Sequence, residues 1–143
     1  MLTKRPPPRR GLFHLWLAKQ LAQVGGNRLD QRRFRNRQAQ LAARVDTLIV
    51  TRGAEGSIVW QKGTEQTIAP VPAAAVKDPT GCGDAYRAGL LLAMATGRSL
   101  LDGARLGSVL GSIKIAVQGC QNHRPTREEI RAQFEQHYGA WPF

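Results

Sequence analysis

Asp78-Pro79-Thr80-Gly81-Cys82-Gly83-Asp84 joins an irregular segment to a run with helical spacing. Glycines at two of three successive positions let the backbone come close to a bound group. The first amides of a helix have no partner within it and carry the positive end of its dipole. Such an end, fed by a glycine loop, suits a phosphate or the charge that builds up in phosphoryl transfer. Asp84 stands at the helix entrance. A carboxylate there can take a proton from an attacking hydroxyl while the amides hold the transferred group. Gly-x-Gly-Asp is short, however, and aspartate is common at plain helix starts, so the stretch by itself also fits a structural turn.

Downstream of this stretch, Asp84 to Thr96 has helical spacing, with Tyr86, Leu90, Met94 and the adjacent Leu91 on related faces and Gly97 as a natural stop. Leu100 to Val117 predicts a second helix, its Leu106, Val109, Leu110, Ile113 and Val117 recurring at three and four. Thr126 with Glu129 is a capping box for a last helix through about Tyr138. Upstream, Thr47-Leu48-Ile49-Val50-Thr51 is the β-branched run of a buried strand, and Arg52 to Gly56 is a turn. Ser57 to Trp60 reads as the next strand, Lys62-Gly63 as a hairpin turn and Glu65 to Ala69 as its partner, ended by Pro70 and Pro72. Strand, hairpin, loop and three helices in this order make one edge of an α/β sandwich.

Before Val45 the signals change. Pro6-Pro7-Pro8 blocks regular structure, Leu12 to Val24 predicts a short helix, and Gly25-Gly26-Asn27 breaks it. Arg28 to Arg44 predicts a helix too polar to bury well alone. The expected organisation is a basic, partly disordered arm over 1–44, with 1–10 disordered, a folded segment over 45–138, and a tail over 139–143.

The charge follows the same division. The chain of 143 residues carries a net +11. Residues 1–40 hold ten Lys/Arg against one acid, and residues 41–143 hold eleven against nine. A basic front end fits either a solvated leader or contact with nucleic acid or an anionic surface. No aromatic stacking motif interleaves the arginines. The apolar runs are too short to span a membrane. Gly11 to Ala18 is interrupted by His14 and lacks a cleavage site, so export is not expected. Two cysteines, Cys82 and Cys120, without metal-ligand spacing fit a reducing, cytoplasmic setting.

The stretch from Asp78 to Gly89 closely resembles the C-terminal signature of the PfkB (ribokinase-like) carbohydrate kinases. Asp46 to Ser57, with Thr51-Arg52-Gly53-Ala54-Glu55-Gly56, looks like that family's strand and turn beside the nucleotide. Gly103 to His123, ending Gly119-Cys120-Gln121-Asn122-His123, is similar to bacterial adenosine-kinase-like members. The resemblance covers about residues 41–138 and implies a partial ribokinase-like α/β sandwich. It makes Asp84 the catalytic base and Gly81, Cys82 and Gly83 the anion hole, with Cys82 present for its amide. It places Thr51, Gly53 and Gly56 on the ATP side. Asp78 and Thr80 match positions that help bind a monovalent cation such as K+, although Lys114 to His123 match its other ligands poorly. Many relatives have an Asn facing the nucleotide near Gly107-Ser108, and this chain does not.

The implied activity is ATP-dependent phosphotransfer, with Mg2+, to an alcohol of a sugar or nucleoside, and a homo-oligomer is among the expected associations. The family's N-terminal half supplies the acceptor-binding residues, and residues 1–40 do not resemble the segment that should precede Val45. A truncated gene or a frame change upstream is therefore expected, with reduced or no activity. A non-catalytic remnant and a basic nucleic-acid-binding protein remain the alternatives.

Overall fold

The computed structural model describes residues 15–19 and 28–143. Strand β1 (Leu15–Lys19) is followed by helix α1 (Arg28–Ala42) and strands β2 (Thr47–Thr51), β3 (Ser57–Gln61) and β4 (Thr64–Ile68). Helices α2 (Cys82–Ala95), α3 (Leu100–Ile115) and α4 (Arg127–Tyr138) complete the order. The four strands form one sheet in chain order. β1 runs parallel to β2, pairing Leu17 with Ile49, whereas β2, β3 and β4 are successively antiparallel. A parallel neighbour requires a crossover, and α1 lies on that crossover, against β2.

Leu15 to Lys19 is a strand, which corrects the helix expected over Leu12 to Val24. A short apolar run does not distinguish strand from helix by periodicity. The open edge of β2 decides the matter by offering a full row of backbone partners, Leu15 to Lys19 against Thr47 to Thr51. Part of the region upstream of Val45 is thereby tied to the sheet. The expected disorder over 1–10 and the break at Gly25-Gly26-Asn27 lie outside the described residues.

Alternation along the strands puts Ile49, Val59 and Ile68 on one face, in a cluster with Tyr86 and Leu90 of α2 and Ala104 of α3. Leu48 and Val50, which point the other way, are also buried, as expected for a strand covered on both sides. A second cluster joins Val71, Leu106, Val109 and Phe134, with the Trp141 ring edge-on to Phe134 at 5.3 Å. Residues beyond α4 thus pack onto the core. Thr126 caps α4 in the predicted box, its hydroxyl accepting from the Glu129 amide at 3.2 Å while the Glu129 carboxylate accepts from the Thr126 amide.

α2 and α3 meet through a seam of small residues. A methyl group on Gly89 would lie 2.4 Å from the Gly107 nitrogen, and one on Gly107 would lie 2.7 Å from the Tyr86 carbonyl. The backbones are therefore close enough for each helix to fix the other's axial position. The seam also moves the buried stripe of α2. Gly89, Leu90 and Ala93 face inward, and Leu91 and Met94, read as on faces related to those of Tyr86 and Leu90, are exposed.

Candidate active site

The segment entering α2 is set by contacts with the far end of α3. The amides of Lys77 and Asp78 both donate to the Ile115 carbonyl, at 2.8 and 3.1 Å. One carboxylate oxygen of Asp78 accepts from the Thr80 amide at 2.9 Å, closing the tight turn expected of an aspartate two residues ahead of its donor. The other accepts from the Gly119 amide at 2.8 Å and the Gln118 side-chain amide at 3.3 Å. The hydroxyl and amide of Thr80, then the Gly119 amide, hold the Asp78 carboxyl down to about 2 from an ordinary 3.8, with the charge of Lys114 adding to the effect. Lys114 is fully buried, and its Nζ donates to the carbonyls of Asp78 at 2.9 Å and Val117 at 3.2 Å.

Gly81 follows with φ of 85°, a left-handed conformation, and caps α2. A Cβ there would stand 3.3 Å from the Cys120 carbonyl and 3.5 Å from Cε of Lys114, so both backbone conformation and space call for glycine. Cys82 and Gly83 are the first residues of the helix itself and not part of the loop before it, as expected from the glycines. The Cys82 amide turns inward to the Pro79 carbonyl at 3.2 Å. Among the described residues, no acceptor of the chain takes the N–H of Gly81 or Gly83. Asp84 is the third helical residue; its side chain is 78% exposed and accepts from Arg87 Nη1 at 2.6 Å. The helix start therefore combines unspent amides with an accessible carboxylate.

Thr51 ends β2, and Arg52 to Gly56 turn back into β3. The Arg52 amide donates to the Gly56 carbonyl at 2.8 Å and the Gly56 amide to the Gly53 carbonyl at 3.1 Å. Both glycines have positive φ, 61° at Gly53 and 80° at Gly56. A buried hydrogen bond of 2.7 Å joins Ser57 Oγ to the Tyr86 hydroxyl, so the end of this turn is anchored to α2 within a turn of Asp84. Burial pushes the Tyr86 hydroxyl up to about 12, against the opposing pull of Ser57. It is a neutral strut between sheet and helix.

With that geometry, sequence relationships become specific. The pattern of the pfkB family carbohydrate kinases matches residues 21–127. The chain belongs to the pfkB family of carbohydrate kinases. A nucleoside kinase of Methanocaldococcus jannaschii is 39% identical over 94 residues, which are 66% of this chain and 31% of that protein. The nucleoside kinase of Burkholderia thailandensis in complex with inosine superposes with a TM-score of 0.68 at 44% identity, over 71% of this chain and 34% of that one. Its ADP-inosine complex superposes with a TM-score of 0.73 at 35% identity, over 90% and 39%. This pfkB-family chain thus spans about a third of the length of the relatives it matches, and it has a partial ribokinase-like α/β fold. The family match begins at residue 21, upstream of the position where the resemblance was expected to start.

Three features of the site escaped sequence reasoning. Arg87 beside Asp84 shows only as an i,i+3 spacing, one among many on any helix. The Ser57–Tyr86 contact joins residues 29 apart and leaves no local pattern. Lys114 did leave one. It continues the α3 seam seven residues after Gly107 and follows Ile113, where a charged residue interrupts an inward-facing stripe.

Proposed function

We propose that this chain carries the phosphoryl-transfer end of an ATP-dependent kinase whose acceptor is an alcohol of a nucleoside or sugar. The observation that carries this reading is the helix start itself, where the amides of Gly81 and Gly83 are unspent and Asp84 is accessible in the first turn. The nucleoside-kinase relatives, one with ADP-inosine bound, favour a nucleoside acceptor.

In this mechanism the acceptor hydroxyl gives its proton to the Asp84 carboxylate as its oxygen bonds to the γ-phosphorus. The bond from that phosphorus to the β–γ bridging oxygen breaks, and ADP leaves. The amides of Gly81 and Gly83, at the positive end of α2, face the charge on the transferred group. The Cys82 amide contributes only if it gives up Pro79. The turn of Thr51, Gly53 and Gly56 lines the nucleotide. Mg2+ bound with the nucleotide would neutralise part of the phosphate charge. Phosphoryl transfer depends mainly on positioning and electrostatics. The acceptor-binding residues belong to the part of the family fold that this chain does not span, so the chain alone is expected to bind nucleotide with little or no turnover. No helix among the described residues is long and apolar enough to cross a membrane, and a cytoplasmic kinase fits that observation.

Calorimetric titration of the full chain with MgATP tests the reading. Saturable binding that RNA does not compete away is expected. A steeply salt-dependent RNA affinity without ATP binding would overturn it in favour of a nucleic-acid-binding protein.

A further inference from the structure

Lys114 is the largest fully buried side chain of the described residues, and the transfer chemistry does not use it. A lysine ammonium carries three donors and is a compact, strongly hydrated charge. Withdrawing it from water is tolerated only where oxygen atoms replace that hydration. Two such oxygens are in place, the Asp78 carbonyl at 2.9 Å and the Val117 carbonyl at 3.2 Å. They come from segments far apart in the chain, and the Asp78 carboxylate adds a nearby negative charge. The stem of the side chain passes beneath Gly81, where Cε would lie 3.5 Å from an added Cβ.

The same atoms bear on K+. Asp78 and Thr80 were the residues expected to help hold a monovalent cation. Here both carboxylate oxygens of Asp78 accept backbone amides, from Thr80 and Gly119, and its carbonyl accepts the ammonium. A potassium ion set against these carbonyls would sit beside a like charge that already bonds to each of them. The residues present do not fit K+ alongside Lys114.

We infer that Lys114 is the built-in cation of this site, its ammonium bridging the Asp78 and Val117 carbonyls so that the Gly81 loop is set without a bound monovalent cation. Lys114 is thus a positioning residue: it touches neither phosphate nor acceptor, and acts by fixing the loop whose amides face them. The consequence for phosphate rests on the kinase reading above, whereas the cation's place beneath the loop does not.

The test is thermal melting of the full chain in chloride salts of K+, NH4+, Na+ and choline at one ionic strength. The unsubstituted chain is expected to melt at the same temperature in all four. Lys114→Ala, which opens the space, is expected to melt lower in choline and to recover selectively in K+ or NH4+, by about 4 °C or more. If it fails to fold in choline, folding in K+ or NH4+ alone is the expected result. Lys114→Met fills the space without a charge and is expected to melt lower in all four alike. A K+-dependent rise for the unsubstituted chain would overturn the inference, because a separate cation site would then exist. So would a Lys114→Ala chain that melts alike, or fails alike, in every salt, or a Lys114→Met chain that melts like the parent. ATP and acceptor take no part in these melts, so failure here is distinguishable from failure of the kinase reading.

Discussion

The candidate site is built from two glycine turns held in different ways. The Arg52 to Gly56 turn is closed by its own neighbours, with Arg52 bonded to Gly56 and Gly56 to Gly53 across a few residues. The Asp78 to Gly81 loop is closed from a distance. Asp78 is tied to Lys114, Gln118 and Gly119, which lie 36 to 41 residues further along the chain. A turn of the first kind forms as soon as its strands pair. A loop of the second kind has its shape only once α3 has packed on α2 and carried Lys114 into place. The loop proposed to face the transferred phosphoryl is therefore the one that depends on tertiary structure.

Substitutions can break this contrast within one turn. Gly56→Ala is expected to cost the most, because its Cβ would fall 2.1 Å from the Ile68 carbonyl at a φ of 80°. Left-handed strain and overpacking together predict a loss of about 2–4 kcal/mol in urea unfolding. Gly53→Ala has φ of 61° but meets nothing within 4 Å, so only the conformational part, about 1 kcal/mol, is expected. Equal losses at the two positions would show that the Ile68 carbonyl does not crowd position 56.

A smaller effect sharpens the other side. The Asp78 carboxyl is lowered to about 2 from 3.8. A carboxyl depressed on folding contributes stability that is complete above its unfolded value and is lost as pH falls through its folded one. The melting temperature should therefore fall between about pH 4 and pH 2 in part through Asp78. Asp78→Asn should flatten that portion of the profile while lowering the melting temperature at neutral pH. An unchanged acid limb in Asp78→Asn would mean that the long-range ties from the Gln118 side chain and the Gly119 amide do not depend on the charge.

The locally determined parts were legible in the sequence. β2 follows from its β-branched run, the hairpin of β3 and β4 from Lys62-Gly63, and the α4 cap from Thr126 and Glu129. The helix start at Asp84 was also visible, to within the two residues by which α2 begins early. What depends on a distant partner was not. Leu15 to Lys19 took its strand conformation from β2, and Leu91 and Met94 lost the core to Gly89 and Ala93 because α3 approaches so closely. Lys114 showed as a mismatch to an expected cation site, and its burial between two carbonyls emerges only from the packed structure.

The central claim, that Asp84 is the base at this helix start, is tested most directly by Asp84→Asn. The measurement is turnover and ATP affinity in a fusion to the N-terminal part of a nucleoside-kinase relative. Asparagine keeps the size of aspartate and its capacity at a helix N-terminus, and the exposed pair with Arg87 contributes little stability, so folding should survive. Turnover is predicted to fall by about 10²–10⁴-fold with ATP affinity unchanged, the loss typical of a positioned base. Equal turnover in the two fusions would contradict the account.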